Sequence, residues 1–197
     1  MRVSLSELPP DLPAPVDDGA ADHLIGCQLP AVVLTATGGE QVALAELEGL
    51  WVLYVYPMTG RPDEPLPDGW DRIPGARGCT PQACAFRDHH AELQALNAGV
   101  YGISTQSVAD QYEAKMRLHL PFELLSDTGL LLGRSLQLPT FVITGRVLYR
   151  RLTLIADKGR VVKTFYPVFP PDENADQVIH WLRCHTVNAA TVRDGRT

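Results

Sequence analysis

The sequence predicts an α/β fold with a central mixed sheet flanked by helices. Three observations predict it. Residues 51–56 (WVLYVY) are a continuous apolar run whose length and β-branched and aromatic content suit a buried central strand. A helical pattern from Cys79 and a second buried run at 100–104 follow, and strand, helix, strand makes the first two core strands parallel. Late in the chain, 152–156 and 161–165 flank Asp157-Lys158-Gly159-Arg160, a strong antiparallel hairpin signal.

The elements follow in order. Residues 1–24 are rich in Pro, Asp and Ala without apolar periodicity and are read as an extended N-terminal arm. Residues 31–34 and 42–44 flank Gly38-Gly39 and predict a hairpin. Residues 58–78 hold eight Pro or Gly in 21 positions, so no regular element is expected there. A loop of that length inside a compact domain is usually functional or disordered. Pro81 fits the first turn of the Cys79 helix, and Phe86, His90, Leu93 and Leu96 repeat at helical spacing until Gly99. Residues 107–118 are amphipathic, with Val108, Tyr112, Lys115 or Met116, and Leu118 or His119 near one side, and Pro121 stops them. Residues 122–125 predict a short strand, and Asp127 caps a helix to about Leu136. Residues 137–149 fit no single element. A last helix at 176–184 turns Val178, Trp181 and Leu182 inward. This order is the plan of a thioredoxin-like sheet, with the domain spanning 25–185 and a tail at 186–197.

Composition narrows the function. The chain has 197 residues, enough for one domain with a single core. A net charge of −6 argues against a nucleic-acid binder, whose surface is basic. No apolar run reaches the length of a membrane span. The first residues lack the apolar core of a signal peptide, so a cytoplasmic location is expected.

Four cysteines are present: Cys27, Cys79, Cys84 and Cys184. In a reducing compartment a close pair is more often catalytic or metal-binding than structural. Cys79 opens a helix, where free N–H groups and the dipole favour an anion. A free thiol titrates at about 8.5, and the thiolate is the nucleophile. Arg77, Arg87 and Arg151 are candidate cations for it, and Gly78 leaves the adjacent backbone open. Cys84 lies five residues on. An ideal helix places such a pair roughly 8.5 Å apart, beyond the ~7 Å limit of a disulfide. Bonding therefore requires the first helical turn to unwind. The bland alternatives are a buried inert pair and a zinc site with His89-His90, whose spacing is wrong for one. Cys27 and Cys184 read as core or surface thiols. Trp70 reads as a plug, a lid or a partner contact of the loop, and a plug is favoured because an exposed Trp is costly.

Residues 78–88, Gly-Cys-Thr-Pro-Gln-Ala-Cys-Ala-Phe-Arg-Asp, resemble the active-site segment of the Q-type peroxiredoxins, the bacterioferritin-comigratory-protein group. Tyr56-Pro57, Leu125-Ser126-Asp127 and the 151–159 segment resemble further parts of that pattern. The resemblance spans about residues 26–184. It implies a thiol peroxidase acting on hydrogen peroxide and organic hydroperoxides. Cys79 would be peroxidatic, Cys84 resolving, and Arg151 the guanidinium beside them. Pro57, Gly78 and Thr80 would bind substrate. A thioredoxin-like dithiol would re-reduce the enzyme, as monomer or homodimer, with no metal or other cofactor. A disulfide oxidoreductase of the thioredoxin type is the competing enzyme reading, but its Cys-x-x-Cys is absent; a non-enzymatic redox sensor is the third.

The chain departs from that pattern at one place. The family carries a Thr or Ser three residues before the cysteine, and here Ala76 occupies it. Between Pro57 and Cys79 stand 21 residues where the pattern has six, so about fifteen are extra. Thr59, Thr80 or a backbone N–H are the candidate substitutes for the hydroxyl.

Overall fold

A computed structural model of the chain describes residues 8–9 and 11–194, with side chains through His185. The first seven residues of the expected arm, Pro10 and residues 195–197 lie outside the described residues. The strands among the described residues are β1 (Val33–Ala36), β2 (Gln41–Ala43), β3 (Leu50–Val55), β4 (Ala98–Ser104), β5 (Leu124–Ser126), β6 (Thr140–Ile143), β7 (Arg146–Tyr149), β8 (Leu152–Asp157) and β9 (Arg160–Phe165). The helices are α1 (Cys79–Asp88), α2 (His90–Ala95), α3 (Val108–Leu118), α4 (Leu131–Ser135) and α5 (Asn174–Asp194). Seven strands form one sheet in the order β2-β1-β5-β4-β3-β8-β9, and β6 pairs with β7 alone. β3 runs parallel to β4 and antiparallel to β8, so the sheet is mixed. The ambiguous 137–149 stretch is thus mainly the β6–β7 hairpin, turning at Thr144-Gly145, both with positive φ.

β3 is apolar throughout because the sheet buries both its faces. Leu53 and Val55 join one core with Leu34, Ile103, Leu125 and Leu154. Val52, Tyr54 and Tyr56 join the other with Cys79, Phe86, Leu93, Val178 and Leu182. This second core seats α1 and α5 on the sheet and so fixes the position of Cys79.

Four local expectations are corrected. The 58–78 loop is not wholly irregular: Trp70–Arg72 form a 3₁₀ turn entered through Gly69 at φ 81°. The helix from Cys79 breaks at His89 and ends before Asn97, which takes φ 56°. Gly99 lies within β4 instead, where a Cβ would meet the Trp51 ring at 2.5 Å. α3 ends at His119, in the left-handed region, before Pro121 is reached. Its buried side also differs from the expected stripe: Gln111 and Ala114 join Leu118 inside, while Tyr112 and Met116 are exposed. Gln111 pairs inside with the Tyr56 hydroxyl and with the carbonyls of Gln106 and Leu125, so a polar residue leads the buried stripe.

Candidate active site

Cys79 is the first residue of α1 and is buried. Gly78 precedes it at φ 99°, a conformation that favours glycine. A Cβ there would meet Pro171 Cγ at 2.2 Å and Leu8 Cδ2 at 3.1 Å. The missing side chain at Gly78 therefore makes room for close packing on that side.

Arg151 immediately precedes β8 and is buried. Its Nη2 donates to Cys79 Sγ at 3.2 Å. Nη2 also reaches the carbonyls of Ala76 at 3.2 Å and Arg77 at 3.0 Å, and Nε reaches that of Gly75 at 3.3 Å. Nη1 donates to Gln82 Oε1. A buried guanidinium is tolerated when such acceptors surround it. The planar fork ties the end of the loop, the thiol and the helix together, a task a lysine cannot perform. Gln82 is itself buried and donates to Asn174 Oδ1 at 3.0 Å, which also accepts from Thr153 Oγ1 at 2.6 Å. The sequence reading passed over Gln82, Asn174 and Thr153. The available signal was spacing: Gln82 is three residues after Cys79 and shares its helix face.

The other two candidate cations have partners of their own, although Arg77 also lines the recess at Cys79. Arg77 turns to Asp71, with Nε 3.2 Å from Oδ1. Arg87 bonds Asp88 Oδ1 at 2.8 Å and the Leu118 carbonyl at 2.9 Å. It serves Cys84 rather than Cys79: burial pushes the half-buried Cys84 thiol up, and Arg87 pulls it back. The pair are free thiols, on a continuous helix. Burial, and after it the neighbouring Cys79, push the Tyr56 hydroxyl above the ordinary phenol range. Tyr56 donates to Gln111 Oε1 at 3.1 Å and stays a neutral wall.

A recess of about 20 Å³ opens onto Cys79. Met58, Gly60, Leu66, Trp70, Ala76, Arg77, Gly78 and Thr80 line it with Cys79. Pro57 is not among the lining residues; its carbonyl accepts from Ser104 Oγ at 2.9 Å and sets the course of the loop. Of the two candidate hydroxyls, Thr80 lies at the recess, while Thr59 lines the chamber behind it. The Cys79 thiol donates to the Ala76 carbonyl at 3.7 Å. Cys27 is half-buried, its thiol donating to the His23 carbonyl, and Cys184 is exposed beside His180. Neither joins the site. The site thus aims one cation and a helix start at one sulfur, beside room for a molecule of about water size.

Comparisons with known proteins agree with this geometry. The Redoxin family profile matches residues 25–179. The chain is 30% identical over 160 residues to the chloroplastic peroxiredoxin Q of Suaeda salsa, covering 80% of this chain and 67% of the relative. It is 31% identical to that of Sedum lineare, covering 80% and 77%. The structure of peroxidoxin BcpB from Mycobacterium tuberculosis superposes with a TM-score of 0.66 at 25% identity, over 81% of this chain and 96% of that one. A peroxiredoxin Q from Xanthomonas campestris superposes with a TM-score of 0.61 at 27% identity, over 81% and 97%. A buried cysteine at a helix start under an arginine, on this sheet and with these relatives, places the chain in the peroxiredoxin Q family of thiol peroxidases.

Proposed function

We propose that the chain reduces hydroperoxides through a dithiol cycle on Cys79 and Cys84. The observation that carries the reading is the Arg151 guanidinium, 3.2 Å from the Cys79 sulfur at the first residue of α1. In the cycle, the Cys79 thiolate attacks the terminal oxygen of the hydroperoxide. The O–O bond breaks, and the remaining alkoxide or hydroxide leaves as alcohol or water after taking a proton. Cys79 is left as a sulfenic acid. Arg151 holds the sulfur and faces the charge that develops on the breaking bond. Cys84 then attacks the sulfenic sulfur, the S–O bond breaks, the Cys84 thiol proton leaves with the hydroxyl as water, and a disulfide closes.

That second step needs the first turn of α1 to open, since the thiols start on different faces of one helix. A dithiol of the thioredoxin type returns the pair to thiols, itself becoming a disulfide. The bacterioferritin comigratory protein of Xanthomonas campestris, which shares this fold, has an alkyl peroxide reduction activity, which supports hydroperoxides as the substrate class. Stopped-flow mixing with hydrogen peroxide tests the proposal. Cys79 is expected to react far faster than free cysteine, and Cys79→Ser to abolish the fast phase. A rate no greater than that of free cysteine contradicts it. Insulin reduction without peroxide consumption favours the disulfide oxidoreductase reading.

A further inference from the structure

We propose that the 58–78 loop, closed by Trp70, is a size filter that favours hydrogen peroxide and small alkyl hydroperoxides over bulky ones. The proposal rests on the peroxidase reading above and names its substrate class. The recess at Cys79 measures about 20 Å³, room for roughly one water-sized molecule. Trp70, Met58 and Leu66 form part of its wall, and all three belong to the long loop. The larger the group attached to the peroxide, the more of it has to be accommodated against Trp70, Met58 and Leu66 when its terminal oxygen meets the sulfur.

The wall is fastened and does not hang free. Trp70 is 3% exposed and packs with Met58, Ala76, Ile143 and Leu148. Its ring lies 6.1 Å from that of Phe141 on β6. The Trp70 amide donates to the Pro67 carbonyl at 3.0 Å. Further along the loop, Asp71 pairs with the buried Arg77. At the loop's start Gln106 grips Thr59 twice, accepting from its N–H at 2.7 Å and donating to its carbonyl at 3.1 Å.

A larger chamber lies behind the wall. It holds about 120 Å³ between Arg61, Gln106, Asp110 and Arg146. Met58, Gly60 and Leu66 line both spaces, so Leu66 stands in the partition. Shortening Leu66 joins the chamber to the recess and gives a bulky substituent somewhere to lie. Shortening Trp70 widens the recess itself.

Single-turnover oxidation of Cys79 by hydrogen peroxide and by cumene hydroperoxide tests the filter in the full chain, Trp70→Ala and Leu66→Ala. The unmodified protein is expected to react faster with hydrogen peroxide. Each variant is expected to raise the cumene-to-hydrogen peroxide rate ratio about tenfold, the scale of discrimination that a pocket wall provides. Leu66 is only half-buried, so its variant reads out the filter even where Trp70→Ala fails to fold. An unmodified protein that takes both peroxides equally, or an unchanged ratio in folded Leu66→Ala, overturns the proposal. A Cys79 inert to both peroxides removes the peroxidase reading instead. The filter then answers to alkylation of Cys79 in Cys84→Ser, read by mass mapping. Leu66→Ala is expected to speed a bulky maleimide relative to iodoacetamide, and an unchanged ratio overturns it.

Discussion

Arg151 Nη2 lies 3.2 Å from Cys79 Sγ, although 72 residues separate the two in the chain. The sheet creates this meeting. β3 leads through the long loop into α1, and β8, antiparallel beside β3, begins just after Arg151. The same guanidinium grips the carbonyls of residues 75–77, so loop, helix and strand converge on one sulfur.

Arg151→Met is expected to slow the reaction of Cys79 with hydrogen peroxide about 10- to 100-fold, since one charge-assisted hydrogen bond contributes ~1.5–3 kcal/mol. Arg151→Lys is expected to recover little of it, because an ammonium cannot reproduce the fork. Second-order rate constants from stopped flow check both, and full activity in Arg151→Lys would count against the geometric role.

Gln82→Met is expected to destabilise the fold by about 1–3 kcal/mol, because it strips a partner from the buried Arg151 Nη1 and from Asn174 Oδ1. Denaturant unfolding measures that cost. The peroxide rate should fall less than in Arg151→Met, since Nη2 keeps its own contacts. A larger fall than in Arg151→Met would mean that Gln82 acts on substrate directly.

The pH response of Cys84 follows from its surroundings. Burial disfavours the thiolate and Arg87 favours it, with burial the stronger. In Cys79→Ser, alkylation of Cys84 should therefore titrate above the ordinary thiol range. Arg87→Met removes the opposing charge and should move the profile higher still. A downward shift in Arg87→Met would contradict the assignment of Arg87 to Cys84.

Asp127 is the main polar anchor beneath β7. It accepts from the Tyr149 hydroxyl, from Leu131 N at 2.7 Å and from Leu132 N at 3.0 Å, and it is buried. Asp127→Ala leaves these donors without a partner and is expected to cost about 3 kcal/mol in urea unfolding. A loss under about 1 kcal/mol would show that water replaces the carboxylate.

Much of this architecture was legible in the sequence, and the exceptions have physical reasons. The 51–56 run, the parallel unit and the hairpin at Lys158-Gly159 were readable because apolar content and turn chemistry specify them locally. The buried face of α3 was not, because its leading residue is Gln111, and periodicity counts only apolar positions. The motif at 78–88 and the 151–159 segment singled out Cys79 and Arg151, which the fold brings to within 3.2 Å of each other. The aim of Arg77 and Arg87 was not, since a long side chain chooses its partner through three-dimensional neighbours such as Asp71 and Cys84. The Trp70 plug was readable from the cost of exposing an indole, but the recess it shapes depends on Met58, Leu66 and the distant β6–β7 hairpin.

Mass mapping of disulfides after one equivalent of hydrogen peroxide tests the paired roles of Cys79 and Cys84. One intramolecular bond, Cys79 to Cys84, is expected, with Cys27 and Cys184 left as thiols. A Cys79 that stays reduced, or one joined to Cys27 or Cys184, would contradict that pairing.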